Sequence, residues 1–198
     1  GRLQNCLSSY NVAEWAPGVY VRGGGLELVN CTISGNSSFG GPAVVAPTST
    51  LWNCIVHGNN VETNHLEIEG IPAAMHCCSP GLAGAGNVTN DPQFADAAAG
   101  DYRLQAISPC IDGGDKAIVD WDEDLDGTQR ILYGAVDMGV YEAQLPGPGA
   151  WFGAITNGLT NDLDCAAGDG VPNLLKYATS GSPRISDEQM LMTRDSGN

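Results

Sequence analysis

The residues best suited to chemistry in this sequence are aspartates that alternate along one acidic stretch. Asp122, Asp124 and Asp126 alternate and are followed at once by Gly127. Alternating carboxylates before a glycine turn can direct several hard oxygen atoms at one Ca²⁺, which prefers such ligands. The twelfth position of such a loop is Tyr133, where a complete EF-hand needs a bidentate glutamate. The pattern therefore predicts a partial calcium site and excludes a full EF-hand.

A second acidic stretch near the end of the sequence offers further calcium ligands, which are Asp162, Asp164, Asp169 and Asn173. It resembles the Asp-x-Asp-x-Asp-Gly-x-x-Asn loops of thrombospondin type 3 and dockerin-like modules, although residues 165–168 interrupt the pattern. Each stretch also has a structural alternative. In the first, Asp126 or Asp137 would pair with Arg130 in a solvated turn; in the second, the side chains would cap helices and turns.

Groups that could perform catalysis are sparse. A polysaccharide lyase needs cations and a base, and a glycosidase needs paired carboxylates. Between residues 1 and 76 the permanent cations are Arg2 and Arg22. Glu67 and Glu69 form the best carboxylate pair, because a strand of period two points both the same way. The histidines have no fixed spacing to acids and are His57, His65 and His76. We therefore predict no catalytic residue in this chain.

A repeat organises the first part of the sequence. Cys6, Cys31 and Cys54 each end a Leu-x-Asn-Cys segment, and they are 25 and 23 residues apart. The apolar segments 19–21 and 44–46 each begin 13 positions after the preceding cysteine. Each unit reads as two short strands around a turn rich in Gly, Ser and Asn. Parallel strands stacked about 4.8 Å apart would place the cysteines in an interior column.

The repeats resemble a known group of proteins. Residues 30–36 and 52–59 are similar to rungs of secreted bacterial β-helix proteins of the pectin-lyase-like superfamily. Four later segments resemble the closing part of choice-of-anchor surface proteins, namely residues 91–94, 101–104, 108–112 and 137–142. The resemblance implies an extracellular right-handed parallel β-helix with a C-terminal cap, commonly followed by an anchoring module. It does not imply a particular activity.

The predicted organisation is all-β with a small, mainly helical appendage. Its parts are β-helix rungs at 1–76, a loop-rich cap at 77–143, a linker at 144–149 and an acidic helical module at 150–198. The cap would cover the open edge of the last turn. Cys78 and Cys110 lie in the cap, where an extracellular setting would permit a disulfide, and buried free thiols are the alternative.

Charge and apolar composition narrow the range of functional classes that this chain could belong to. The net charge is −15, with twelve acids against three bases in residues 77–149, which argues against a nucleic-acid partner. No apolar run of about 18 residues occurs, so no membrane span is predicted. We expect an extracellular or cell-surface scaffold, either an adhesin-like stalk or a self-assembling fibre subunit. The alternative is a fragment of a carbohydrate-active enzyme or its glycan-binding remnant.

The start of the first repeat predicts that copies of this chain associate. Gly1 opens partway into a repeat, so the chain looks cut from a longer precursor and its first turn has unpaired backbone groups. Such an edge invites pairing with another molecule. We therefore expect copies of this chain to associate head to tail.

Overall fold

A computed structural model describes residues 1–61, 66–132 and 134–143. In this part of the chain strands dominate, and the only helical elements are the 3₁₀ turns Ala97–Ala99 and Lys116–Ile118. The all-β prediction is confirmed for these residues. The strands in chain order are β1 (Arg2–Gln4), β2 (Leu7–Ser9), β3 (Val12–Ala13), β4 (Val19–Tyr20), β5 (Glu27–Val29), β6 (Thr32–Ser34), β7 (Ser37–Ser38), β8 (Val44–Val45), β9 (Thr50–Trp52), β10 (Ile55–Val56), β11 (Ile68–Glu69), β12 (Ala73–Met75), β13 (Phe94–Asp96) and β14 (Asp101–Leu104).

The first twelve strands pair in parallel with the equivalent strand of the next repeat. The largest sheet has the order β1-β5-β9-β12, and two others have the orders β2-β6-β10 and β4-β8-β11. In the largest sheet Leu3 pairs with Leu28, Leu28 with Leu51, and Leu51 with Ala74. Successive partners are therefore 25, 23 and 23 residues apart, which reproduces the cysteine spacing. We name the four repeats by these strands, the first beginning at β1 and the fourth at β12.

A left-handed residue turns the chain after the first strand of each repeat. Asn5, Asn30, Asn53 and His76 have φ values of 54°, 49°, 53° and 53°. Asparagine tolerates this conformation better than most residues, which explains why it recurs before each cysteine. His76 occupies the same place in the fourth repeat. The parallel register continues past residue 76, because Cys78 pairs with Ile55.

The interior of the stack is an apolar cluster of buried side chains. Leu28, Leu51 and Val44 are fully buried in one cluster with the cysteines. Each such aliphatic side chain contributes roughly 1.5–3 kcal/mol by leaving water. The predicted interior position is confirmed for Cys31 and Cys54, and the column extends to Cys77. Cys6 differs and is exposed, since β1 pairs only with β5 among the described strands.

The residues after the fourth repeat divide into three parts. In the first part, Val88 pairs in parallel with Cys78 and donates its N–H to the Cys77 carbonyl at 2.8 Å, so it lies against the fourth repeat at these two residues. Strands β13 and β14 then form an antiparallel pair. Residues 110–132 and 134–143 are here called the flank segment. They lie along the asparagine corner, the turn of the repeats at Asn5, Asn30 and Asn53, instead of over the edge of the last repeat. No helix in the described ranges has the length and apolar character needed to cross a membrane.

Candidate functional site

The asparagine corner is the surface that holds the flank segment. The Asn53 amide donates to the Asp115 carbonyl at 3.0 Å and accepts from the Asp115 N–H at 2.7 Å. Asn30 donates to the Asp137 carbonyl at 2.9 Å, and Asn5 donates to the Glu123 carbonyl at 2.8 Å. Asn30 and Asn53 are fully buried, so an unpaired amide here would cost about 1–3 kcal/mol. The corner therefore binds the flank segment across three repeats.

A second column of amides runs along another turn of the repeats and ends in a carboxylate. Asn11 donates to Asn36 and Asn36 donates to Asn59, each at 2.9 Å. Asn59 then donates to Glu67 Oε2 at 2.7 Å, and the Gly58 N–H donates to Oε1 at 2.8 Å. Burial raises the pKa of Glu67 to about 7, against the opposing effect of these donors. Glu67 thus serves as the acceptor that ends the column.

Glu67 and Glu69, the best carboxylate pair in the sequence, have different surroundings. Glu67 accepts the hydrogen bonds of the amide column, whereas Glu69 is exposed. The described histidines also lie in different places. His57 lines a surface groove, and His76 Nδ1 is 3.0 Å from the Gly113 carbonyl at the asparagine corner. His65 lies outside the described residues.

The flank segment encloses a buried guanidinium. Arg130 has no exposed surface. Its Nη2 donates to the carbonyls of Asp137 and Gly139 at 3.1 and 2.8 Å, and its Nη1 donates to the Val140 carbonyl at 3.0 Å. Its carboxylate partner is Glu142, with Nη2 and Oε2 3.5 Å apart. Burial lowers the pKa of Arg130, and the charge of Glu142 opposes this effect.

Three acids surround this arginine and are held by backbone N–H groups. Asp137 accepts from the N–H groups of Asp112 and Ala143 at 2.8 and 2.6 Å. Glu142 accepts from the Asp137 N–H at 3.0 Å, and the Glu142 N–H donates to Asp124 at 2.8 Å. Burial raises the pKa of Asp137 to about 6 and that of Glu142 to about 9. Backbone donors therefore hold both carboxyl groups in place beside the guanidinium of Arg130.

This network corrects the predicted partners of Arg130. The sequence indicated the carboxylate of Asp126 or Asp137, but Arg130 hydrogen-bonds Asp137 through its main-chain carbonyl. Asp126 pairs instead with Arg103, whose Nε and Nη2 donate to its two oxygens at 2.7 and 2.8 Å. Arg103 lies on β14 and is brought next to Asp126 only by the tertiary fold. The sequence around Asp126 therefore could not predict this ion pair.

The calcium candidates in the described residues do not converge. Asp124 Oδ1 accepts from the N–H groups of Asp126 and Thr128, both at 2.9 Å, which closes a turn. Asp122 is exposed, and the Asp126 oxygens are occupied by Arg103. Within residues 1–61, 66–132 and 134–143, no group of three or more His, Cys, Asp or Glu side chains is placed to hold a metal ion. The partial calcium site at these three aspartates stays a prediction. The other candidates, Asp162, Asp164, Asp169 and Asn173, lie outside the described residues.

A surface groove of about 490 Å³ lies between the repeats and the antiparallel pair. Tyr10, Phe94 and Tyr102 line it, together with His57 and Asp91. The rings of Phe94 and Tyr102 meet edge to face at 5.2 Å, and the Tyr102 hydroxyl donates to the Ser34 carbonyl at 3.3 Å. Burial lowers the pKa of His57, and the charge of Asp91 opposes this shift.

No protein-family model, curated protein or solved structure matches this chain. The resemblance to pectin-lyase-like and choice-of-anchor proteins therefore stays a prediction. The geometry described above, with its stacked repeats and buried flank network, is the basis for the functional proposal.

The buried acids predict that stability falls as pH rises. A carboxyl group whose pKa is raised on folding holds a proton that the unfolded chain releases, so the folded state loses its advantage at high pH. The pKa of Glu142 rises from 4.5 to about 9 on folding, that of Glu67 from 4.5 to about 7 and that of Asp137 from 3.8 to about 6, and each group lowers stability as pH rises between its two values. We expect the free energy of unfolding to drop by roughly 1–3 kcal/mol from pH 6 to pH 8.

Urea unfolding at constant ionic strength measures this dependence. Glu142→Gln keeps an acceptor oxygen but cannot ionise, so its stability should vary less between pH 6 and pH 8. Glu69→Gln, at an exposed glutamate, is the matched control and should retain the wild-type slope. A wild-type stability that increases over this range, or an unchanged slope in Glu142→Gln, would contradict the assignment.

Proposed function

We propose that this chain is an extracellular structural scaffold built as a right-handed parallel β-helix. The in-register pairing of equivalent strands supports this proposal, because each repeat contacts its neighbours in the same way. Columns of cysteine and asparagine side chains run through the stack and join one repeat to the next. A rod of this kind grows by adding repeats and presents surface along its length. A stalk or fibre subunit needs these properties.

The in-register pairing carries this proposal, and the outer face of the first repeat bears on how copies would meet. Leu3 is 39% exposed, whereas its equivalent Leu28 is fully buried. Cys6 is exposed, whereas Cys31 is buried. The backbone of β1 pairs on one side only among the described strands. Residues of interior type on an unpaired strand are typical of a surface that stacks on another strand. We call this surface the first-repeat face.

The other end of the stack bears on how copies would associate. The sequence predicts head-to-tail order, which needs an open last repeat. Within the described residues, Val88 pairs with Cys78 in that repeat, whereas β12 pairs with β9 alone. Because interior-type residues are exposed on the first repeat, we propose that two copies meet through their first-repeat faces. A two-fold contact of this kind closes as a dimer, whereas head-to-tail contacts continue as a filament.

We expect Leu3→Asp to weaken association of the full chain. The substitution places a charge on the apolar first-repeat face, where burial in an interface would strip its water. Ile107→Asp is the matched control, because Ile107 is a 77% exposed apolar residue that lies in the segment after the repeats. Sedimentation velocity over a range of micromolar concentrations would measure the effect.

The outcomes separate the arrangements. A concentration-dependent dimer that Leu3→Asp dissociates and Ile107→Asp leaves intact supports pairing of the two first-repeat faces. Species that keep growing with concentration indicate head-to-tail filaments instead. A wild-type monomer at every concentration would contradict self-association as the role of this face.

A further inference from the structure

Two cysteines from different parts of the chain meet in a small buried cluster. Cys78 belongs to the fourth repeat and Cys110 begins the flank segment, and neither has exposed surface. They pack with Ile55 and Met138. The two residues are 32 positions apart in sequence, so the fold and not the local chain brings them together. Both are free thiols in this structure.

Hydrogen bonds of the backbone hold each cysteine in its own part of the chain, Cys78 in the fourth repeat and Cys110 in the flank segment. The Cys78 N–H donates to the Cys54 carbonyl at 2.8 Å, which holds it in the parallel register. The Cys110 N–H donates to Ser108 Oγ at 3.1 Å, and its carbonyl accepts from the Met138 N–H at 3.0 Å. The neighbouring Cys78 thiol is the largest cause that raises the pKa of Cys110, followed by burial. The two side chains therefore lie in one buried cluster, and each is held there by its own part of the chain.

The other thiols of the repeats are less suited to pairing. Cys31, Cys54 and Cys77 occupy equivalent positions in parallel strands, so their β-carbons are separated by about the strand spacing of 4.8 Å. A disulfide requires β-carbons about 3.5–4.5 Å apart, and the sheet resists closer approach. Cys78 and Cys110 come from a repeat and from the flank segment. No shared ladder fixes the distance between them.

We propose that Cys78 and Cys110 form a disulfide that joins the fourth repeat to the flank segment. The oxidant is a low-molecular-weight disulfide such as oxidised glutathione. One cysteine thiolate attacks it, releasing one reduced thiol and forming a mixed disulfide. The second cysteine then attacks the protein-bound sulfur and releases the second thiol. The two cysteines lose two electrons and two protons, which the oxidant accepts. The exchange takes place while the chain folds, before the cluster closes.

The bond is tested by refolding the reduced full chain with oxidised glutathione or with a reductant. Free thiols are then alkylated, and tandem mass spectrometry locates any linked peptides. Cleavage after Glu69, Arg103 and Lys116 separates Cys78 from Cys31 and Cys54 and isolates Cys110, and a Cys77→Ala variant removes the ambiguity between adjacent Cys77 and Cys78. We expect a link between Cys78 and Cys110. We also expect the oxidised chain to melt roughly 5–15 °C above the reduced chain.

Two variants separate the effect of losing the disulfide from the effect of losing the packing of a buried thiol. In Cys110→Ala, the difference in melting temperature between oxidised and reduced preparations should disappear, whatever its baseline stability. In Cys31→Ala, which also removes a buried thiol, that difference should remain. The proposal is overturned if no peptide links Cys78 to Cys110, or if Cys110 links to another cysteine such as Cys165.

Discussion

Replacing Arg130 with methionine should destabilise the chain by about 3–5 kcal/mol, the range for removing one partner from a buried charged network. Three main-chain carbonyls, those of Asp137, Gly139 and Val140, would each lose one of two donors in a buried region. Glu142 would lose its buried partner as well. Methionine fills a similar volume, so the effect reports the hydrogen bonds more than the packing.

The control is the exposed arginine of the same region. Arg103 pairs with Asp101 and Asp126, but its side chain is 52% exposed. Exposed ion pairs contribute about 0–1 kcal/mol, so Arg103→Met should have a small effect. Urea unfolding of both variants at pH 7 gives the comparison. Equal losses in the two variants would contradict a buried network that anchors the flank segment.

Gly139→Ala should be the most damaging glycine substitution at the contact between the flank segment and the repeats. Gly139 has φ of +88°, and a β-carbon there would lie 2.7 Å from Ile55 Cδ1 and 2.8 Å from Thr32 Oγ1. Its N–H donates to the Asn53 carbonyl at 2.7 Å, so the backbone cannot retreat without breaking that bond. Backbone strain and overpacking together predict a loss of roughly 2–5 kcal/mol.

Gly127→Ala separates the two causes. Gly127 has φ of +76°, but no atom lies within 4 Å of the position its β-carbon would take. This control therefore carries the strain of a left-handed residue without the clash, at about 1–2 kcal/mol. The excess loss in Gly139→Ala measures how tightly the flank segment packs on the repeats. Equal losses would show that the two surfaces are not in contact.

The repeat could be predicted because it is local and periodic. Leu-x-Asn-Cys marks a strand, a left-handed corner and an interior thiol, and three copies fix the spacing. The fourth copy cannot be recognised from the pattern because Ala74 and His76 replace the leucine and asparagine there, although Cys77 keeps its place in the column. The corner geometry tolerates this exchange, since His76 adopts the same left-handed conformation.

The flank network could not be predicted because its contacts join distant residues. Arg130 reaches the first repeat through Asn5, 125 positions away, and Asn30 contacts Asp137 across 107 positions. The acidic pattern around Asp124 indicated calcium because its spacing is that of a metal loop. In the fold, the Asp124 oxygens are instead occupied by backbone N–H groups of its own turn and of Glu142.

The parallel stacking of the repeats is tested most directly by NMR couplings transmitted through backbone hydrogen bonds. Three equivalent bonds are expected: Thr32 N–H to the Cys6 carbonyl at 3.0 Å, Ile55 N–H to Cys31 at 2.9 Å and Cys78 N–H to Cys54 at 2.8 Å. Correlations across these three pairs would show that each repeat is hydrogen-bonded at the equivalent position to the next repeat. Correlations that instead join β5 to β6 or β9 to β10, as in antiparallel hairpins, would contradict the stacked-repeat scaffold.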